Sequence, residues 1–189
     1  MSKLTRLTLV CRGATEANRK SIFGLDASLL PQEAVRATLR LAAVTPRPDM
    51  IVSAPEAAAR ETAGGFGQDF AIEPALADLE YGWWTGKNLM QIAEADPAAL
   101  QSWLHDPQAA PHGGESLGRL QRRAQGWLAA QGGRGGHIAA VTHSAVIRAL
   151  ALAVLDAPLA AFWRIDIDPL AVSELRNDGR RWVLHSLGA

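Results

Sequence analysis

The chain has 189 residues, 48% of them hydrophobic and 20% charged, and its 19 Lys and Arg residues balance 19 Asp and Glu residues. Zero net charge argues against a dedicated nucleic-acid binder or a protein of anionic membranes, because both classes usually carry a basic excess. The single cysteine, Cys11, excludes an intramolecular disulfide framework and a cysteine-rich zinc site. The length suits one domain over residues 1–189.

No segment has the pattern of a signal peptide or of a membrane span. The apolar run at 7–10 is interrupted by Thr8, and the longest run, 149–155, falls far short of the roughly 18 residues of a transmembrane helix. We therefore expect a cytoplasmic protein that crosses no membrane.

Strand and helix patterns alternate along the chain. Short β-rich runs bounded by Gly or Pro predict strands, and apolar residues at helical spacing after Pro or Ser predict helices. For the helix that begins at Pro31, the predicted buried stripe consists of Val35, Leu39 and Ala42. In chain order, the predicted elements are a strand at 4–10, a helix at 31–43, a strand at 50–53, a helix from 55 to about 64, a strand at 70–72, short helices at 87–94 and 97–104, a helix capped by Ser116 that runs to about 131, a strand at 137–142, a helix at 144–155, and strands at 170–176 and 181–186.

This alternation predicts a three-layer α/β/α sandwich with a mainly parallel sheet. The turn sequence Asn-Asp-Gly at 177–179 lies between the last two strands, which predicts a C-terminal antiparallel hairpin. In such folds ligands bind beyond the carboxyl ends of the parallel strands. We therefore expect the ligand-binding residues to lie in the segments 11–18, 53–60, 78–86 and 142–144.

Five segments at or near these strand ends share the patterns of one known family. Leu9–Asn18 (LVCRGATEAN) resembles the family opening LVRHGxTxxN, and Val141–Arg148 (VTHSAVIR) resembles VSHGxVIR. Ser53–Ala63, Asp78–Gly86 and Pro111–Ser116 are similar to SSPxxRAxxTA, ExxFGxWEG and PGGES. The family is the histidine phosphatase superfamily, in its phosphoglycerate-mutase-like branch, and the resemblance covers nearly the whole chain.

The resemblance implies phosphoryl transfer through a phosphohistidine. In the family, a His after the first strand is the nucleophile, two Arg and a second His surround the phosphoryl oxygens, and a carboxylate protonates the leaving group. Several cations are needed because a phosphoryl group carries about two negative charges. The chemistry needs no cofactor, and no His, Cys, Asp and Glu spacing in the chain suggests a metal site.

The chain departs from the family at the residues that carry this chemistry. Cys11 stands in place of the motif Arg, Arg12 in place of the nucleophilic His, and Ala58 in place of the helix Arg. Asp78 takes the place of the acid, and His143 retains the second His. A guanidinium stays protonated up to a pKa above about 12, so Arg12 cannot attack phosphorus. The ordinary phosphohistidine route through the first strand is therefore excluded.

The remaining polar residues still predict an anion site. Arg12 supplies a fixed positive charge, and His143 and Ser144 lie at a strand-to-helix turn, where a helix N-terminus favours anions. The resemblance adds Thr15 and Asn18 as polar contacts, although both are also ordinary turn residues.

Cys11 has two interpretations. A thiolate beside Arg12 would be stabilised and would be a competent nucleophile. A cysteine-phosphatase loop, however, requires Arg at position 17, which is Ala17, and free cysteines are usually buried and inert. We favour a small buried residue at the end of a strand.

For four side chains near the predicted pocket, we expect structural or solvent-exposed positions rather than contact with a ligand. Trp83 and Trp84 are expected to form pocket wall and core, because no basic groove accompanies them as in a nucleic-acid stacking platform. His112 is expected to be solvated in its loop, and Glu115 to support the start of the helix after Ser116.

Four functions remain open. The chain is an inactive scaffold without a ligand, a pseudoenzyme that binds a phosphorylated or anionic small molecule through Arg12 and His143, a phosphomonoesterase that uses His143 or Cys11 as nucleophile with Asp78 as acid, or an interaction protein with an apolar patch over the pocket mouth. We favour the pseudoenzyme. No metal, nucleic acid or membrane is expected as a partner, and no feature of the sequence indicates an oligomeric state.

Overall fold

The structure is a computed structural model that describes residues 4–189. The strands are β1 (Thr5–Cys11), β2 (Met50–Ser53), β3 (Ala71–Ile72), β4 (Gly136–Thr142), β5 (Val172–Asn177) and β6 (Trp182–Ser186). The helices are α1 (Glu16–Arg19), α2 (Pro31–Ala42), α3 (Ala57–Gly64), α4 (Leu89–Ala95), α5 (Pro97–His105), α6 (Leu117–Gln131) and α7 (Ser144–Val154). No helix within the described residues is long and apolar enough to cross a membrane.

The six strands form one sheet in the order β3-β2-β4-β1-β5-β6. β3, β2, β4 and β1 are mutually parallel, and β5 pairs antiparallel with both β1 and β6. The mainly parallel sheet and the C-terminal hairpin are therefore confirmed. Because β1 and β4 are central and adjacent, their carboxyl ends meet in the middle of one sheet edge, where Cys11 is in register with Thr142.

Helices cover the sheet and complete the three layers. α2 packs against α3, and α6 packs against α7, which also contacts β1. The apolar residues of the central strands, such as Leu7 and Leu9 in β1 and Ile138 in β4, are at most 3% exposed. Burial on both faces explains the continuous apolar run of β4 at 138–141, whereas the run of β1 is interrupted by Thr8, which is buried and bonds His137.

The predicted buried face of α2 is wrong. Val35 and Leu39 are 63% and 71% exposed, and the helix instead buries Glu33, Ala37 and Leu41. The orientation follows from a polar contact, because the Glu33 carboxylate accepts a hydrogen bond from the backbone N–H of Ala14 at 3.1 Å. The other side of the inward face is small, since Ala37 lies where α2 passes close to Gly65 of the chain after α3.

Segments without a clear periodic pattern also form short elements. α1 is four residues long and begins with a capping box, in which Thr15 and Asn18 bond each other's backbone N–H groups. Three 3-10 helices cover Pro74–Leu76, Gly82–Trp84 and Leu159–Arg164. The first strand begins at Thr5 rather than at residue 4.

An aromatic cluster packs beneath the irregular region, and it corrects the prediction for His112. His112 is fully buried, with ring centroids of Trp84 and Trp103 at 5.0 and 6.3 Å. Its Nδ1 accepts a hydrogen bond from the N–H of Gly114, which holds the imidazole inside its own loop. Trp84 is core, as predicted, whereas Trp83 is 46% exposed and lies beneath the Lys87 ammonium.

Candidate functional site

The predicted site residues gather at the carboxyl edge of the sheet. Arg12 directly follows β1, and its backbone N–H donates to the carbonyl of Thr142 at 2.8 Å, so that Arg12 and His143 leave neighbouring strands side by side. The segment after β2 brings Pro55 and α3 to the same edge. This convergence at the ends of parallel strands is the place where open α/β sheets bind ligands.

A cleft with two lobes opens at this edge, with volumes of about 360 Å³ for the first lobe and 310 Å³ for the second lobe. Arg12, Asp78 and His143 line both lobes and so form the boundary between them. Thr15 and Ala58 line the first lobe, and Cys11, Asn18 and Ser144 line the second. All eight residues singled out from the sequence thus border one cleft.

The two lobes differ in charge. In the second lobe, Arg12 and His143 face a single carboxylate, that of Asp78. The first lobe contains the same three groups and three further carboxylates, those of Asp26, Glu56 and Glu80. Anions are therefore favoured in the second lobe and opposed in the first.

Arg12 is held by the loop that follows it. Its guanidinium donates to the carbonyl of Gly13 at 2.9 Å and to the side-chain oxygen of Asn18. Asn18 is itself fixed by Thr15, whose backbone N–H and hydroxyl both donate to the Asn18 side-chain oxygen at 3.0 Å. The polar residues implied by the resemblance therefore position the cation rather than standing apart from it.

His143 is the best-connected group in the cleft. It is the N-cap residue of α7 and is 5% exposed. Its Nε2–H donates to the Glu56 carboxylate at 2.9 Å, and its Nδ1 forms an ion pair with the Asp78 carboxylate at 3.3 Å. Both ring nitrogens thus face carboxylates, Nε2 through a hydrogen bond to Glu56 and Nδ1 through the ion pair with Asp78 without a hydrogen bond.

The ionisation states follow from these contacts. Burial alone would lower the pKa of His143, but the carboxylates of Asp78 and Glu56 outweigh it and raise the pKa to about 9. Burial would likewise raise the pKa values of Glu56 and Asp78, yet the charge and hydrogen bonds of His143 hold both below their ordinary values. At neutral pH the three groups are one imidazolium between two carboxylates.

Sequence reasoning missed Glu56. It is the N-cap residue of α3 but its side chain makes no capping bond, and one carboxylate oxygen instead accepts from the backbone N–H of Asp78 at 3.0 Å. The available signal was its position, because a carboxylate immediately after Pro55 lies at the carboxyl end of β2. An acidic residue at a helix start is also accounted for by the helix dipole, so the residue type alone does not indicate the contact with His143.

Cys11 has the environment of an inert thiol. It is 5% exposed, and burial raises its pKa to about 12 despite the opposing influence of Arg12. Its backbone N–H and carbonyl bond Ala171 and Leu170, so the residue also joins β1 to the chain before β5. These contacts agree with the interpretation of Cys11 as a small residue at a buried strand end.

Ala58 leaves the first lobe without the arginine that the family motif places there. Its methyl group is 3% exposed and borders the lobe, whereas Arg60, two residues further along α3, is exposed and does not line the cleft. Among the described residues, Arg12 is the single arginine that borders either lobe.

Arg123 of α6 fixes the segment that carries Asp78. Its guanidinium donates to the carbonyls of Ala75, Ala77 and Asp78 at 2.8, 3.1 and 3.2 Å. Two further bonds reach the Glu115 carboxylate at 3.1 and 2.7 Å. Glu115 therefore orients Arg123, which corrects its predicted role at the helix start, while Ser116 caps α6 as predicted by accepting from the N–H of Arg119.

Two glycines bring the Asp78 segment against the following loop. A methyl group on Gly82 would lie 2.0 Å from the carbonyl oxygen of His112, and one on Gly114 would lie 2.0 Å from that of Glu80. Gly82 also has φ of +49°, which a side chain would strain. Only glycine allows this approach, so both positions help to set the wall of the cleft.

No group of three or more His, Cys, Asp or Glu side chains within residues 4–189 is arranged to hold a metal ion. The charged side chains that line the two lobes are those of Arg12 and His143 and the carboxylates of Asp26, Glu56, Asp78 and Glu80, beside neutral hydroxyl, amide and thiol groups.

Comparison with known proteins identifies the family. The model of the histidine phosphatase superfamily (branch 1) matches residues 7–189. The chain belongs to this superfamily. Its relatives include a glucosyl-3-phosphoglycerate phosphatase of Mycolicibacterium vanbaalenii, 29% identical over 92% of each chain. Another is a phosphoserine phosphatase 1 of Hydrogenobacter thermophilus, 27% identical over 61% of this chain and 56% of the relative.

Solved structures of the superfamily have the same fold. The native structure of a mycobacterial glucosyl-3-phosphoglycerate phosphatase superposes with a TM-score of 0.87, at 26% identity and with 99% of this chain and 100% of that chain covered. A complex of a mycobacterial glucosyl-3-phosphoglycerate phosphatase with inorganic phosphate has a TM-score of 0.83, at 26% identity and 97% coverage of each chain. The fold and family implied by the five sequence segments are thus confirmed.

Proposed function

We propose that this histidine phosphatase superfamily member is a pseudoenzyme whose cleft binds a phosphorylated or otherwise anionic small molecule. The observation that carries the proposal is that Arg12 and His143 follow the adjacent strands β1 and β4 and line one lobe together. By the motif resemblance, Arg12 stands at the position of the nucleophilic histidine. Arg12 and His143 supply positive charge at the strand ends, but neither is a neutral imidazole that could act as a nucleophile. The site thus has cationic side chains that can bind an anion, but it has no nucleophile that could accept a phosphoryl group.

The names of the relatives support a phosphorylated ligand. Two of them are phosphatases named for glucosyl-3-phosphoglycerate and phosphoserine, and one solved relative was obtained with inorganic phosphate. The second lobe, where Ser144 opens α7, suits such an anion because backbone N–H groups at a helix N-terminus favour negative charge.

Three properties of the cleft speak against catalysis by a substitute nucleophile. Cys11 is a buried thiol with a raised pKa, so its thiolate is scarce at neutral pH. The imidazole of His143 is protonated and engaged at both nitrogens, so it lacks the lone pair needed for attack on phosphorus. The Asp78 carboxylate has a lowered pKa and carries no proton for a leaving group.

Titration calorimetry with inorganic phosphate and sugar phosphates tests the binding. We expect heat of binding to the native protein, and loss of that heat in Arg12→Gln, which keeps a polar side chain without the charge. Arg60→Gln serves as the control, since Arg60 is exposed outside the cleft. No heat at millimolar ligand would contradict the proposal.

Hydrolysis of p-nitrophenyl phosphate without added metal separates the pseudoenzyme from a phosphomonoesterase. A pseudoenzyme gives rates equal to buffer. Turnover abolished by His143→Ala would overturn the pseudoenzyme and support catalysis by the alternative route.

A second candidate, an interaction protein, has one observation in its favour. Leu25 and Leu89, which line the second lobe, are 47% and 45% exposed, and Met90, which follows Leu89 in the chain, is 72% exposed. An apolar rim of this kind suits a protein partner as well as an apolar portion of a small ligand. A pull-down that loses its partner in Met90→Glu, with phosphate binding unchanged, would favour the interaction.

A further inference from the structure

The Glu56 carboxylate is placed where an incoming anion would need to be. It accepts the Nε2–H of His143 at 2.9 Å, and this nitrogen is the one not already facing Asp78. His143 is deeply buried, with 6% of its side chain exposed, while the Glu56 side chain is 23% exposed on the open side of the pair. Glu56 lines the first lobe, so a ligand that approaches His143 from that lobe meets the Glu56 carboxylate at Nε2.

The chain around Glu56 explains why the carboxylate reaches across. Glu56 does not cap α3, and its second oxygen accepts from the backbone N–H of Asp78 at 3.0 Å. Two residues after Glu56, the small side chain of Ala58 borders the same lobe and supplies no positive charge. Because α3 places no arginine in the cleft, the Glu56 carboxylate pairs with His143, the buried cation that follows β4.

The contact has the form of an internal ligand. A carboxylate and a phosphoryl group are both anionic acceptors, and both form short, strong hydrogen bonds to a protonated imidazole. Only one of them can accept the single Nε2–H at a time. Because Glu56 is part of the chain, its effective concentration at His143 is high without any cost of association.

We propose that Glu56 is an autoinhibitory anion that occupies the position of a ligand's anionic group at His143 and must be displaced before that group can bind there. The inference rests on the proposed anion-binding function, and it assigns to Glu56 control over affinity. It also predicts selectivity, since a weakly charged anion competes with Glu56 less well than a phosphoryl dianion.

The test compares the affinity of wild-type protein and Glu56→Gln for inorganic phosphate by titration calorimetry at pH 7. Loss of a charged competitor is expected to tighten phosphate binding about tenfold, because hydrogen bonds to charged groups contribute more than neutral ones. Glu56→Ala, which removes the acceptor altogether, is expected to tighten binding at least as much. Glu80→Gln is the matched control, because Glu80 lines the same lobe without touching His143.

The outcomes separate this inference from the proposed function. Tighter binding by Glu56→Gln alone supports the inference, and if the wild type shows no binding at all, the inference stands while the proposed function falls. Equal affinity of wild type and Glu56→Gln overturns the inference and leaves the proposed function intact. Binding by neither protein overturns both. Equal tightening by Glu80→Gln overturns the specific role of Glu56 and leaves the proposed function intact.

A second measurement needs no ligand. An NMR titration of the His143 ring is expected to show a lower pKa in Glu56→Gln than in wild type, with little change in Glu80→Gln. An unchanged His143 titration in a folded Glu56→Gln variant would show that the carboxylate does not hold the imidazolium, and would overturn the inference.

Discussion

At the scale of single residues, the buried imidazolium of His143 makes stability depend on pH. Its folded pKa of about 9 lies above the ordinary value of 6.5. The resulting stabilisation is complete below the unfolded pKa, near pH 6.5, and is lost as the pH rises through 9. Because His143 is protonated over this window only in the folded state, the folded protein binds the extra proton.

We expect the stability difference between wild type and His143→Gln to shrink on raising the pH from 6.5 to about 10. The change is on the order of 3 kcal/mol, since one pKa unit corresponds to about 1.4 kcal/mol. Urea denaturation across this pH range measures it. His105→Gln, which removes an exposed imidazole, should run parallel to wild type. A His143→Gln difference that stays constant with pH would refute the coupling.

Cys11 gives a second prediction at this scale. Its thiol is 5% exposed and has a pKa raised to about 12, so a thiol-specific reagent such as Ellman's reagent should leave the native protein unmodified at pH 8. The same reagent should consume one thiol per chain after unfolding in urea. Rapid modification of the native protein would instead indicate a reactive thiolate in the second lobe.

At the scale of elements, α6 governs the cleft through Arg123. The Arg123 guanidinium ties three carbonyls of the Asp78 segment, those of Ala75, Ala77 and Asp78, to the helix, and its side chain is 25% exposed. Removing it leaves these carbonyls and the Glu115 carboxylate without their partner. The position of Asp78, and hence the charge balance around His143, therefore depends on a helix that does not itself line the cleft.

We expect Arg123→Gln to lower the free energy of unfolding by about 2 kcal/mol and to weaken phosphate binding. Arg122→Gln is the matched control, because Arg122 is exposed on the same helix, and surface substitutions usually change stability by less than about 0.5 kcal/mol. Denaturation and calorimetry on both variants provide the measurement. Equal effects of the two substitutions would mean that the Arg123 contacts do not hold the segment.

The sequence predicts elements better than it predicts their faces. The two central strands and the helices α6 and α7 follow from apolar runs and a capping serine, which are local signals. The face of α2 does not, since it depends on the bond from Ala14 to Glu33 across 19 residues. The contact of Glu56 with His143 spans 87 residues, and no periodic pattern encodes such a distance.

At the scale of the whole molecule, a superfamily scaffold surrounds a cleft that Cys11, Arg12 and Ala58 line, where the motif that the sequence resembles has Arg, His and Arg. The motif alignment located all eight predicted residues at one cleft, because strand ends are set by topology. It did not reveal Glu56, because the alignment assigns chemistry only to positions where the family has it. The positions of Arg12 and Ala58 at the cleft were thus predictable, whereas the contact of Glu56 with His143 was not.

Restoring the family residues tests this view of the scaffold. We expect Cys11→Arg, Arg12→His and Ala58→Arg together to give hydrolysis of p-nitrophenyl phosphate above the wild-type rate. Adding Glu56→Gln should raise it further, because His143 then becomes available to the phosphoryl oxygens. Steady-state rates and thermal denaturation of both variants are compared, so that misfolding is recognised. A folded quadruple variant that binds phosphate without turnover would locate the loss of chemistry elsewhere in the chain.

The unequal charge of the two lobes has a kinetic consequence. Three more carboxylates face the first lobe than the second, so an anion that diffuses towards the first lobe meets repulsion, while the second lobe attracts it. Salt screens both fields, so raising the ionic strength slows entry through the second lobe and eases entry through the first. An anion can therefore enter through either lobe with opposite salt dependence. An association rate that falls with ionic strength indicates entry through the second lobe, and one that rises indicates entry through the first.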